Sequence, residues 1–330
     1  MGTAARQKVL GSSVKKSVYH GIGKNAPVRR TKNAVLVLTG AALDHPGHTG
    51  RAAMASPRFA GLVMTVAADR TVVMMITTSR DGTTLAYDQL GEGPPVIVVL
   101  GVFNEREAGL PLAEALADHF TVYVYDRRGR GGSGEVAVPF RIADEVDDLK
   151  AMIEVAGGEA AVFGYSSGGL LALKALLAGA RITRLALYEP PYQNENPSPA
   201  DHPGHLTELV TQGRREEAVE YFQLKIIGMP PHMVEQAKNA PFWRRLEALA
   251  PSSVYDALLV TDRELPDQLA GLRPPPTLVL DGAASPDRLR GMVGALGTAV
   301  DGAHVVALDG QTHTIDPEVT GPIVRAFLAG

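Results

Sequence analysis

Cysteine is absent from all 330 residues of the chain. Its absence excludes disulfide staples, thiolate metal sites and a cysteine nucleophile, and it fits a reducing, cytoplasmic setting. The apolar run from Ala34 to Leu43 falls well short of the ~20 residues that a membrane helix needs. There is no internal repeat and no low-complexity tract. No Gly-x-Gly-x-x-Gly follows the first strand-like segment, and the glycine-rich stretch Arg127 to Gly134 lacks the Gly-Lys-Ser/Thr of a phosphate loop. A nicotinamide is therefore not expected, nor any other cofactor. A net charge of −4 gives the whole chain no general attraction for nucleic acid, so the expected partner is a small-molecule substrate.

What is present suits a soluble α/β protein. The length and the 45% apolar content are ample for one large domain, or for a core domain with an inserted cap. The average charge hides an asymmetry. Residues 1–74 hold 11 Lys/Arg against Asp44 and Asp69 alone, net +9, which leaves 21 basic and 34 acidic groups, net −13, for the other 256 residues. The first 74 residues are thus expected to be foreign to the domain. They read as a disordered extension or a mis-assigned start with translation beginning at Met54, Met64, Met74 or Met75, as a targeting segment, or as a basic arm. Domain-like sequence starts at Met75-Ile76-Thr77-Thr78.

From there strand and helix signals alternate, as in a mostly parallel sheet covered on both faces. The strands expected are Ile76 to Ser79, Thr84 to Gln89, Pro95 to Leu100, Thr121 to Tyr125, Ala160 to Phe163, Ile182 to Tyr188, Thr277 to Asp281 and His304 to Leu308. Helices are expected around Leu110 to His119 and over Ile142 to Val155. Residues 194–273 have helical periodicity and no good strand, which predicts a helical cap inserted between core segments 75–193 and 274–330.

The most informative segment is Gly164-Tyr165-Ser166-Ser167-Gly168, placed between the apolar Ala160-Ala161-Val162-Phe163 and the helix-like Gly169 to Leu177. Gly-x-Ser-x-Gly between a strand and a helix puts the serine on a turn so tight that side chains at the flanking positions would strike the backbone. Three further motifs accompany it. Asp81-Gly82-Thr83 with Leu85-Ala86-Tyr87 forms an opening hairpin, Tyr125-Asp126-Arg127-Arg128-Gly129-Arg130-Gly131-Gly132-Ser133-Gly134 leaves the fourth expected strand, and Gln311-Thr312-His313 follows the last. In this order the motifs resemble the α/β-hydrolase fold over roughly Met75 to Gly330. The resemblance implies a doubly wound, mostly parallel sheet with a helical cap.

It also implies a serine activated by an imidazole that a carboxylate orients, with Ser166 as nucleophile and His313 as base. The family usually takes its acid from the loop after the strand ending near Asp281, in a Gly-x-x-Asp pattern, but Gly282-Ala283-Ala284-Ser285 puts Ser285 there. Some members place the acid at the end of the preceding strand, where this chain has Glu189. Glu189, first, and then Asp281, a dyad or another acid therefore stay open; Asp287 reads as a helix-start residue. The oxyanion hole is expected from the N–H groups of Ser167 and Val102, with Phe103 and Tyr165 lining the substrate pocket. The family's usual His-Gly is replaced by Leu100-Gly101.

The rival chemistries are thin. Asp201-His202-Pro203-Gly204-His205 and Asp44-His45-Pro46-Gly47-His48 have ligand-like spacing but sit in Pro/Gly loops without further ligands, so no metal is expected. In the cap, an expected helix Arg214 to Leu224 places Ala218, Tyr221, Phe222 and Lys225 near one face, and Phe242, Trp243, Leu246 and Leu249 form another stripe, most of them expected to pack cap against core. These features imply a cofactor-independent serine hydrolase for a small, fairly hydrophobic ester, lactone or thioester. The alternative keeps the fold without hydrolysis, as a cofactorless lyase, a cyclase or a ligand-binding receptor.

Overall fold

In the segment Val96-Ile97-Val98-Val99-Leu100 every side chain is buried, yet the residues belong to two different cores. Ile97 and Val99 face one, while Val96, Val98 and Leu100 face the other. The same period-two division recurs at Val162 against Ala161 and Phe163, and at Leu187 against Ala186 and Tyr188. Continuous apolar strands of this kind require cover on both faces, and that dictates the layering.

The computed structural model describes residues 34–37, 62–66, 71–193 and 200–330. Its strands are β1 (Ala34–Val37), β2 (Leu62–Val66), β3 (Thr71–Thr78), β4 (Thr84–Leu90), β5 (Pro95–Val99), β6 (Thr121–Tyr125), β7 (Ala160–Tyr165), β8 (Ile182–Tyr188), β9 (Thr277–Gly282) and β10 (His304–Leu308). They form one sheet in the order β1-β2-β3-β4-β6-β5-β7-β8-β9-β10. Pairings from β1 through β4 to β6 are antiparallel, and those among β6, β5, β7, β8, β9 and β10 are parallel. The chain passes from β5 to β6 on one side and from β7 to β8 on the other. The strand order therefore reverses between β5 and β7, and the crevice beyond their carboxyl ends is where open α/β sheets bind ligands.

Helices α1 (Leu110–Leu116), α2 (Ile142–Val155) and α3 (Ser167–Leu177) follow β5, β6 and β7. α2 and α3 pack on each other over one face of the sheet. α3 is buried almost all round, so it is a core helix and carries no polar stripe. Between β8 and β9 the described residues carry α4 (His202–Thr211), α5 (Arg215–Tyr221), α6 (Pro231–Lys238), α7 (Trp243–Leu249), α8 (Ser253–Val260) and α9 (Leu265–Leu269). Of these, α8 packs on α3 and α4. The chain closes with α10 (Asp287–Ala299) and α11 (Pro317–Ala329), and α11 packs on α1 over the opposite sheet face.

Three local readings of the sequence differ from what is observed. His202 to His205 is the first turn of α4, not a loop, because the Asp201 side chain caps it by accepting the Gly204 N–H at 2.8 Å. The expected helix Arg214 to Leu224 stops at Tyr221 and widens into a π-helical turn, Phe222–Ile227, closed by Gly228 at φ 81°. Lys225 and Phe242, expected near buried faces, are exposed. The pair His45/His48 lies outside the described residues.

Candidate active site

Among the described residues only Phe103, Ser166 and Glu189 have positive φ without being glycine, at 57°, 54° and 45°. They lie just after β5, β7 and β8 respectively, all at the carboxyl edge of the sheet. Such backbone costs roughly 1–3 kcal/mol per residue and persists where the surroundings enforce it, typically at functional sites.

The enforcement at Ser166 can be read atom by atom. Its N–H donates to Tyr188 O at 2.8 Å and its carbonyl accepts from Gly169 N at 2.8 Å, so strand β8 and the start of α3 fix the turn. A Cβ on Gly168 would lie 2.3 Å from Val99 O, and one on Gly164 would lie 2.6 Å from Gly169 Cα. Those glycines are required because two strands and a helix meet there without room for a methyl group. Ser166 is half-buried, and the turn places it directly ahead of α3, whose first N–H groups have no acceptor within the helix.

Glu189 is wholly buried, and its carboxylate joins two elements. Oε1 accepts the Gly282 N–H at 2.8 Å and Oε2 lies 2.6 Å from His313 Nδ1. Burial disfavours the charged carboxylate, but polar contact with His313, Ser285 and the Gly282 N–H outweighs it and holds the Glu189 carboxyl below its ordinary value. The buried Ser285 thus stands beside the acid without supplying it. Asp281 is turned elsewhere, with its Oδ2 accepting from Arg290 Nε at 3.1 Å. Asp287 is the first residue of α10.

His313 is held from behind. Tyr188 donates its hydroxyl to Thr312 O at 2.7 Å, and burial together with the Glu189 and Asp281 charges pushes this phenol up to about 12, so it stays a donor. The Gln311 carbonyl accepts from Ala284 N at 2.9 Å. The ring of Tyr165, the residue before Ser166, lies 5.0 Å from the imidazole. His313 is two-fifths exposed, and its Nε2 has no hydrogen-bond partner among the described residues. The Ser166 hydroxyl is not hydrogen-bonded to it in this structure, which is common before substrate arrives.

At the expected oxyanion hole the structure departs from the sequence reading. The Val102 N–H donates to Ser167 Oγ at 3.0 Å, and Ser167 Oγ donates to Asp256 Oδ1 at 2.6 Å. Phe103 is partly buried, its ring edge-on to Phe222 of the π-helical turn at 5.5 Å. Sequence reasoning did not single out Arg127, Arg130 or Asp256, which form a buried cluster around this loop. The signal available was a lone carboxylate in the otherwise uncharged helix Ser253-Val254-Tyr255-Asp256-Ala257-Leu258-Leu259-Val260. Among the described residues no group of three or more His, Cys, Asp or Glu could hold a metal ion, and no helix is long and apolar enough to cross a membrane.

A serine on a strained strand-to-helix turn, at the strand-order reversal of a mostly parallel sheet, defines a class of protein, and comparison agrees. The sequence profile of the alpha/beta hydrolase family matches residues 101–320, and the chain belongs to that family. It is similar in structure to an alpha/beta hydrolase from Sphaerobacter thermophilus DSM 20745, with 43% identity and a TM-score of 0.70 over 76% of this chain and 99% of that one. It is 32% identical over 105 residues to an Azorhizobium caulinodans protein named as a carbamate hydrolase, RutD. It is also 33% identical over 100 residues to a pimeloyl-[acyl-carrier protein] methyl ester esterase from Stenotrophomonas maltophilia. Those two alignments cover 31% and 30% of this chain and only 40% and 37% of the relatives.

Proposed function

We propose that this protein is a cofactor-independent serine hydrolase that cleaves a small, fairly hydrophobic ester, lactone or thioester through an acyl-enzyme on Ser166. The carrying observation is the convergence of its strained residues: Ser166 and Glu189 both leave adjacent parallel strands at positive φ, and Glu189 already holds His313. With Nδ1 tied to a carboxylate, the imidazole presents Nε2 as its basic nitrogen. Nε2 takes the Ser166 proton as Oγ attacks the acyl carbon, and Glu189 stabilises the imidazolium that results. The tetrahedral oxyanion is met by the Ser167 N–H at the start of α3, where the helix dipole also favours negative charge. Collapse expels the alcohol or thiol, which takes its proton from His313. Water activated by the same imidazole then releases the acid.

The substrate class is supported by the aromatic side chains near the Ser166 turn: Tyr165 precedes the serine, and Phe103 after β5 packs edge-on against Phe222 between α5 and α6. Carbamate hydrolysis and methyl ester cleavage, the activities in the two relatives' names, are both attacks at an acyl carbon. The test is turnover of p-nitrophenyl butyrate. Ser166→Ala and His313→Ala should each lose on the order of 10³-fold or more in kcat while keeping the wild-type thermal transition. Activity within a few-fold of wild type in Ser166→Ala would overturn the reading.

A further inference from the structure

Asp256 is fully buried, lies outside the Ser166, His313 and Glu189 set, and is supplied by the cap-side helix α8. Its oxygens take three donors. Oδ1 accepts from Arg127 Nη1 and from Ser167 Oγ, both at 2.6 Å, and Oδ2 accepts from Arg130 Nη2 at 2.5 Å. Arg127 is also forked onto Glu145, at 2.8 Å from Nε and 2.5 Å from Nη2. Two guanidinium groups carry more donors than two carboxylates use in this geometry; Arg130 Nε donates to Ser252 Oγ at 3.2 Å, and the rest of the surplus ends on main-chain carbonyls of the loop after β5. Arg127 Nη1 reaches Leu100 O at 3.1 Å; Arg130 Nη1 reaches Gly101 O at 2.5 Å and Asn104 O at 3.3 Å.

The directions of these bonds fix the loop's peptide planes. A carboxylate only accepts, so the Ser167 hydroxyl must donate to Asp256, and its lone pairs are left for the Val102 N–H. In a trans peptide the C=O and the following N–H point opposite ways. The Gly101 carbonyl is taken by Arg130, which agrees with Val102 N–H pointing at Ser167. The Val102 carbonyl is taken by Asn104 Nδ2 at 2.7 Å, so Phe103 N–H points away from Asn104, and it makes no hydrogen bond among the described residues. Phe103 is the loop residue held at positive φ. Stability alone gives little reason for so many buried charges, since an apolar replacement of similar volume is often as stable.

We propose that Asp256 and Ser167 are positioning residues for the oxyanion-binding loop: the carboxylate of α8 orients the Ser167 hydroxyl, which pins Val102 N–H and leaves Phe103 N–H to join Ser167 N–H at the substrate's acyl oxygen. This deepens the serine-hydrolase reading and rests on it. Val102 N–H, the donor expected from its place in the sequence, then has a structural task instead. It also ties the reacting centre to the cap through a residue 89 positions from Ser167 in sequence.

The test uses the full chain with Ser167→Ala, Ser167→Thr and Asp256→Asn. It compares p-nitrophenyl butyrate kinetics, inhibition by phenylboronic acid as a mimic of the tetrahedral intermediate, and amide hydrogen exchange at Val102 by NMR. Ser167→Ala leaves all charges paired and should fold normally. Its kcat should fall by about 10- to 100-fold with KM within about threefold, boronate affinity should fall in step with kcat, and Val102 should exchange at least about tenfold faster. Ser167→Thr should restore all three to within a few-fold, and Asp256→Asn, if folded, should follow Ser167→Ala. Unchanged Val102 exchange in Ser167→Ala, or a loss in kcat without a matching loss in boronate affinity, overturns the proposal. If the wild-type chain cleaves no ester while Val102 exchange still depends on Ser167, the hydrolase reading fails and the loop-positioning assignment stands.

Discussion

Glu189 Oε2 lies 2.6 Å from His313 Nδ1, although the two residues are 124 positions apart and Asp281, at the end of the neighbouring strand β9, is bonded to Arg290 instead. The geometry ranks the two carboxylates. Glu189→Gln keeps the shape and the acceptor for Gly282 N–H but disfavours the imidazolium, so kcat should fall by on the order of 10²- to 10⁴-fold with little loss of folding. Asp281→Asn should stay within a few-fold of wild type. Steady-state kinetics on the pair decides, and the reverse ranking would transfer the acid's role to Asp281.

The same carboxyl sets an acid dependence of stability. Its folded value is below the ordinary 4.5, so the unfolded state binds the proton more tightly. Its contribution is therefore complete above the unfolded value and is lost as pH falls through the lower folded one. Thermal melts of wild type and Glu189→Gln should differ most at neutral pH and converge as pH falls through the carboxyl's lowered folded value. A gap that widens on acidification would contradict the assignment of a charged, stabilising Glu189.

Two glycines separate packing constraint from conformational freedom. Gly168→Ala would press its methyl against Val99 O and Leu100 O, at 2.3 and 2.8 Å, and should destabilise by about 2 kcal/mol or more while lowering activity. Gly291→Ala, within α10 with nothing near its Cβ, should be neutral or stabilise by about 0.5–1 kcal/mol. Chemical denaturation of the two variants measures both effects, and equal effects would mean that the turn at Ser166 is not tightly enclosed.

What could be read in the sequence follows from the range of each interaction. The parallel strands were legible because burial on both faces leaves unbroken apolar runs such as Val96 to Leu100, and the Ser166 turn because its glycines are local necessities. Glu189 and His313 could be singled out only through the resemblance, which assigns roles to the positions that follow particular strands. The Asp256 cluster could not, since Arg127 and Asp256 are 129 positions apart and no local pattern predicts their meeting. The π-helical turn at Phe222 and the capped first turn at His202 were missed for another reason: a single capping side chain or one widened turn overrides the helical period.

The central claim is that Ser166 is the nucleophile of an acyl-transfer site, and covalent capture tests it most directly. Folded wild-type protein treated with a fluorophosphonate should gain one adduct per chain, mapped by peptide mass spectrometry to Ser166. The same treatment of Ser166→Ala should give none, and Glu189→Gln should label far more slowly. Absence of an adduct on folded wild-type protein, or an adduct that persists in Ser166→Ala, would contradict the account.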